Sequence, residues 1–215
     1  MLNVLLKKHE FIFRTYAFFN SYIYITKYYS LQIRKEVNPE ISGEIMFDFL
    51  KNIFKPKTKV ETAQKNVLLA VATGDAIPLS EVPDQVFAQK MAGDGMAIVV
   101  KGDTIVAPAD GELSLVFNTK HAFAMTLSNG IELLVHIGVD TVTLNGEGFE
   151  QLAEQGTKVK AGTPIIKIDR EFILSKGLSL ATPILVTNPD ILKSITPTES
   201  GSVVAGESEI INFDI

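Results

Sequence analysis

The sequence contains no cysteine, which excludes a disulfide framework, a thiolate metal site and a cysteine nucleophile together. Histidine is scarce, with three in 215 residues. A secretory signal or membrane-spanning helix is poorly served at the N-terminus. The most apolar stretch there, TYAFFNSYIYIT between Arg14 and Lys27, is twelve residues long and includes Asn20, short of the roughly 20 residues a spanning helix needs. No clear small-residue cleavage site follows it. Basic excess is also missing: the formal net charge is -5 and the pI near 5.3, the opposite of a nucleic-acid-binding footprint.

What is present has the composition of an ordinary globule, with 46% hydrophobic and 21% charged residues, enough for one all-β domain or two small ones. Its aromatic residues are segregated. All five tyrosines lie between positions 16 and 29, and with Phe11, Phe13, Phe18 and Phe19 they make nine of the eighteen aromatics. The first 45 residues carry six Lys or Arg and four acids, leaving 14 basic and 21 acidic residues for the rest. Such a break in composition marks a boundary. Residues 1–45 are read as an aromatic-rich extension outside the folded body, of the kind a start assigned too early would create, with Met46 as the natural first residue.

From Met46, the residues Met46, Phe49, Leu50 and Ile53 recur at helical spacing, Phe54 widens the stripe, Lys51 and Lys55 flank it and Pro56 stops it. Residues 46–54 are expected to form a short basic amphipathic helix, either touching an anionic membrane surface or docked on its own domain. A polar linker leads from it to residue 66.

Residues 67–215 read as short apolar runs punctuated by Gly, Pro, Asp and Asn. VLLAVATG, GMAIVV, DTIVAPADGELSLVF, AFAMTLSNG, IELLVHIG, TPIIKI, TPILVTN and SEIINF have strand character. Without a βαβ rhythm, they point to an all-β sandwich or barrel. Helical turns are expected in EGFEQLAEQG (147–156), in DREFILSKG and in NPDILKSI, where Asn188 would cap and Pro189 take the first helical position. VKAGTPII (159–166) and VVAGESEI (203–210) echo one another, and VAPADGEL (106–113) is a third turn of related composition. Duplicated hairpins would produce such an echo.

In GIELLVHIGVDTVTLNGEGF (130–149), a two-residue period sends Ile131, Leu133, Val135, Ile137 and Val139 one way and Glu132, Leu134 and His136 the other. The core face is complete without the histidine, and His136 is expected to stand exposed on the opposite surface. In NTKHAFAMTLSNG the same period groups His121 with Phe123, Met125 and Leu127. The SNG turn folds this strand back on the next, although simple hairpin register need not pair the two histidines directly, and a bulge or an adjacent-strand arrangement could still bring them together. Thr119, two residues before His121, could orient a ring or donate to a phosphoryl oxygen. Asp140 suits a docking rim better than a phosphoryl site, whose charge it would oppose. Spacing alone leaves three uses open for His121 and His136: ordinary partly buried histidines, zinc ligands lacking a fixed completing carboxylate, or phosphoryl and general acid/base chemistry.

Residues from about 67 to 215 resemble the glucose-type IIA component of the bacterial phosphoenolpyruvate-dependent sugar phosphotransferase system. The matching pieces are VPDQVFAQKMAGDGMAI, VAPADGEL, FNTKHAFAM, GIELLVHIGVDTVTLNGEGF, VKAGTPII and TPILVTN, with LLVHIGVDTV the most specific. The resemblance implies a compact antiparallel β-sandwich with only short helices, in line with the all-β, barrel-like fold with duplicated hairpin motifs read from the strand pattern and the echo. It implies that His136 accepts a phosphoryl group on Nε2 from the carrier HPr and passes it to a IIB cysteine, with no obligatory cofactor. His121 would stabilise the phosphoryl oxygens, supported by Thr119. Val86, Phe87, Phe117, Leu134 and Val142 would form an apolar platform edged by Asp84 and Asp140. The same face would serve any regulated permeases or metabolic enzymes, and one such complex would hold zinc through His121, His136 and a partner carboxylate. A cytoplasmic location, with transient contact at the inner membrane face, is implied too. Thr143 follows Val142 where some members carry an acid, a departure that bears on partner choice. A zinc-dependent hydrolase is the alternative from another class.

Overall fold

The structure, a computed structural model, describes residues 66–215. The expectations for the aromatic extension, His9, the amphipathic helix with its membrane contact and the linker through residue 65 lie outside the described residues. Fourteen strands follow: β1 (Val67–Leu69), β2 (Gly74–Pro78), β3 (Asp94–Val100), β4 (Thr104–Val106), β5 (Gly111–Val116), β6 (Ala122–Leu127), β7 (Glu132–His136), β8 (Phe149–Gln151), β9 (Lys158–Val159), β10 (Pro164–Ile168), β11 (Ala181–Val186), β12 (Ser194–Pro197), β13 (Gly201–Val203) and β14 (Glu209–Asp214). The two described α-helices are short, α1 (Gln85–Ala88) and α2 (Arg170–Ser175). None is long and apolar enough to cross a membrane.

All pairings are antiparallel. An eight-stranded sheet runs β13-β2-β3-β11-β7-β6-β5-β9, and two three-stranded sheets run β1-β14-β12 and β4-β10-β8. Leu68, Ile98, Ile105, Phe123, Ile166 and Ile211, drawn from all three, meet in one core cluster. Each such side chain contributes about 1.5–3 kcal/mol by leaving water. The expected all-β sandwich with short helices is therefore the architecture. The echo is structural as well. Gly162 donates to Ala107 O and Gly206 to Ala70 O, both at 2.8 Å, and a Cβ on Gly206 would stand 3.0 Å from Gly162 Cα.

β11 lies between β3 and β7 and all its residues are buried, which is why it reads as a continuous apolar run. Its ladder with β7 covers Ile184 to Val186, opposite Val135 to Leu133. Continuing that register places Pro183 across from His136, and Pro183 has no N–H to extend the ladder. The chain leaves the sheet there, with Gly138 at φ +70°.

Two local expectations are corrected. The stretch 147–156 contains strand β8, paired with β10, where a helical turn was expected. Phe149 is buried while Glu150 and Gln151 are exposed, so the ladder and the core contact of Phe149 override the helix propensity of its Glu, Gln, Leu and Ala. Pro189–Ile191 is a single 3-10 turn, and the side chain of Asn188 does not cap it. Asn188 accepts from Glu132 N at 2.9 Å and donates to Gly130 O at 3.0 Å instead, tying down the β6–β7 turn. α2 falls within DREFILSKG as expected, capped by Asp169, which accepts from Phe172 N at 2.9 Å.

Candidate functional site

β6 and β7 pair with Ala122 opposite His136 and Phe123 opposite Val135. Phe123 and Val135 face the core, each fully buried. Regular alternation would therefore put His121 on the core side, with Phe123, and away from His136. The structure departs from that grouping. His121 precedes β6, immediately after Lys120 at φ +57°, and its ring lies against that of His136 with centroids 5.0 Å apart in an edge-on arrangement. The backbone remains in register, because Ile137 N donates to His121 O at 2.7 Å. A break in the side-chain period, rather than a bulge between the strands, brings the two imidazoles together.

The expectation that His136 is exposed is also corrected. It does lie on the face opposite Val135, but only 4% of its surface is accessible, the same as for His121. Phe87 of α1 packs on it with centroids 5.1 Å apart, and Phe117 packs on His121 at 5.2 Å. Four rings thus form a row, Phe117–His121–His136–Phe87, and the covering phenylalanines account for the missing exposure.

Each imidazole uses Nδ1 in a hydrogen bond. His136 Nδ1 lies 2.7 Å from Gly138 O. A carbonyl oxygen only accepts, so this bond places the proton on Nδ1 and leaves Nε2 as the unprotonated nitrogen of the neutral ring. His121 Nδ1 lies 2.6 Å from Thr119 Oγ1, a hydroxyl that can donate or accept. Thr119 is itself buried. Burial lowers the pKa of both rings: His121 is pushed down to about 3, first by desolvation and then by His136. For His136, desolvation outweighs the Gly138 bond and the charges of Asp84 and Asp140, which act the other way. Both rings are neutral near pH 7.

The residues expected around them are placed unevenly. Asp84 caps α1, its Oδ1 accepting from Val86 N at 2.7 Å, so it shapes the helix that brings Phe87 onto His136 and supplies negative charge as well. Leu134 shares the face of His136 two residues back and, like Val142, is less than a tenth exposed. Val86 and Phe117 are half-buried, and Asp140 and Thr143 are exposed. Asp140 sits at φ +58° and its side chain makes no cap bond to the 3-10 turn Thr141–Leu144. Of the five residues expected to form an apolar platform, Val86 and Phe117 are half-buried and Phe87, Leu134 and Val142 are buried. Gly138 was missed by the sequence reading, though a glycine two residues after a strand-end histidine was a usable signal for a returning carbonyl. A broad cleft lined by residues including Asp103, Phe149, Lys167 and Arg170 shares no residue with this site.

No group of three or more His, Cys, Asp or Glu able to hold a metal occurs among the described residues. Catalytic zinc takes three protein ligands, so the hydrolase alternative lacks a ligand set there. The two histidines could furnish two nitrogens, with the remaining ligands coming from elsewhere.

A model of the phosphoenolpyruvate-dependent sugar phosphotransferase system, EIIA 1 family matches residues 66–192. The chain belongs to this family. This EIIA protein is 42% identical over 158 residues to the PTS system glucose-specific EIIA component of Staphylococcus epidermidis, a match covering 73% of this chain and 95% of that protein. It is 44% identical over 144 residues to the corresponding component of Haemophilus influenzae, covering 67% and 86%. It is also 40% identical to the N-acetylglucosamine-specific EIICBA component of Klebsiella pneumoniae over 73% of this chain, but spans only 24% of that longer protein. The solved glucose permease IIA from Mycoplasma capricolum superposes with a TM-score of 0.64 at 38% identity, covering 72% of this chain and 99% of that one. The EIIA protein is accordingly a phosphotransferase component that carries phosphoryl groups in sugar uptake, with HPr and a IIB component as its partners.

Proposed function

We propose that His136 is the phosphoryl carrier of this EIIA protein and that it acts through Nε2. The observation that carries this reading is the bond from His136 Nδ1 to Gly138 O, which holds the lone pair on the other nitrogen without a base having to remove a proton first. Nε2 attacks the phosphorus of phosphohistidine on HPr. The new N–P bond forms as the old one breaks, and its electron pair stays on the HPr nitrogen. A IIB cysteine thiolate then attacks the same phosphorus, an S–P bond forms, and the electron pair of the Nε2–P bond returns to His136. The phosphoryl group ends on a sugar taken up by the IIB-containing permease.

His121 is the neighbouring stabiliser. When Thr119 donates to its Nδ1, the neutral ring carries its proton on Nε2 and offers an uncharged donor to a phosphoryl oxygen. Val86, Phe87, Phe117, Leu134 and Val142 provide the apolar contact for HPr and IIB, and Asp84 and Asp140 meet basic residues of those partners. Glucose-type sugars fit the names of the glucose-specific relatives.

The test is incubation with phosphoenolpyruvate, enzyme I and HPr. Acid-labile phosphate is expected on His136 and absent in His136→Ala, whereas phosphate on His121 would overturn the assignment.

A further inference from the structure

His136 owes its tautomer to one carbonyl, and the conformation of two peptide groups decides where that carbonyl points. In the Gly138–Val139 peptide, Gly138 O accepts a hydrogen bond from His136 Nδ1 while Val139 N donates to Ser179 O at 2.9 Å. In the Ile137–Gly138 peptide, Thr141 Oγ1 donates to Ile137 O at 2.5 Å, and Gly138 N donates to Thr182 Oγ1 at 3.1 Å. Every polar group of these two peptides thus has a partner, and side-chain hydroxyls hold both ends of the Ile137–Gly138 peptide. Thr141 and Thr182 are completely buried. Thr182 Oγ1 donates its own hydrogen bond to Leu180 O at 3.1 Å, so its oxygen lone pair is the part presented to Gly138.

The geometry points to Thr141 and Thr182 as positioning residues for phosphoryl transfer: they clamp the Ile137–Gly138 peptide and thereby aim the Gly138 carbonyl at His136. A clamp is required because Gly138, at φ +70°, has no Cβ to limit its backbone, and because Pro183 ends the β7–β11 ladder at this level. Neither hydroxyl is hydrogen-bonded to the imidazole, whose Nδ1 is held by Gly138 O. Their effect passes through the carbonyl, as with outer partners that orient functional histidines elsewhere. This inference rests on His136 being the carrier only for its effect on transfer; the tautomer stands independently of that reading.

The experiment uses the full chain with ¹⁵N-labelled histidine. Imidazole ¹⁵N shifts of His136 report the protonated nitrogen, and transfer from phospho-HPr is timed on the same samples. In Thr182→Val, the Nδ1–H signature of His136 should give way to a mixture of tautomers and the transfer rate should fall about tenfold. Thr182→Ser, which keeps the hydroxyl, should restore both. If Thr182→Val does not fold, Thr141→Val acts at the other end of the same peptide and should shift the tautomer likewise. A folded variant lacking either hydroxyl, with the wild-type tautomer and rate, overturns the proposal. Phosphate on a residue other than His136 would overturn the carrier assignment while the ¹⁵N result still decided the role of the threonines.

Discussion

The end of β7 and the bend that leads into β6 each deliver a histidine to the same row of rings, equally buried, yet the two are held by different kinds of partner. At the end of β7 the partner is a backbone carbonyl, which can only accept, and the ring is committed to one tautomer. At the bend the partner is a threonine hydroxyl, which can reverse its role. A fixed tautomer suits a nucleophile that must show its lone pair at every encounter. An adjustable one suits a neighbour that must serve both an empty and a phosphorylated site.

The harshest way to break this contrast is at the fixed end. Gly138→Ala would put a Cβ 2.6 Å from Ser179 O and 2.7 Å from Thr141 Cγ2 at a left-handed backbone position. A loss of about 3 kcal/mol of stability is expected, with phosphoryl acceptance falling alongside it. Urea unfolding and the transfer assay read the two effects, and wild-type behaviour in both would mean that the loop is not held as described.

Next comes the adjustable end. His121→Ala should leave acceptance from phospho-HPr measurable while slowing delivery to IIB about a hundredfold, the scale of losing one donor to a developing charge. Equal slowing of both half-reactions would erase the division of labour.

The pH dependence of stability ranks third. Folded-state pKa values below the usual 6.5 mean that the unfolded chain binds protons the folded chain refuses. This contribution is complete above about pH 6.5 and is lost as the pH falls towards the folded values. For His121 alone the loss between pH 7 and pH 5 is about 2 kcal/mol. Urea unfolding at the two pH values should show a shallower decline in His121→Gln than in the wild type.

Thr119→Val is the gentlest probe, expected to slow delivery to IIB about tenfold while leaving the Nδ1–H tautomer of His136 unchanged. Thr119→Ser should behave as wild type. A change at His136 would show that the two supports are coupled.

Much of this arrangement was legible in the sequence. Alternation placed Leu133, Val135 and Ile137 in the core and His136 on the other face, because a strand imposes its period wherever the ladder is intact. It failed at His121, where the backbone keeps its register but the side-chain period breaks behind a left-handed lysine that local composition does not announce. Burial of His136 was illegible for another reason: its cover is Phe87, which comes from α1, a four-residue helix that the strand-rich pattern did not suggest. Glu150 and Gln151 read as helical because their sequence carries no trace of β10, the partner that makes them a strand. Of the threonines behind Gly138, Thr182 read as an ordinary strand residue and Thr141 was not singled out, since a hydroxyl declares its purpose only when its partner is known.

Sinking two imidazoles between two phenylalanines also governs time. With His136 as the carrier proposed above, water would reach the phosphoryl group from few directions, and a docked partner would cover those that remain. A protein charged in that way would wait between encounters, storing transfer potential with little leakage and releasing it when the correct surface closes over the row.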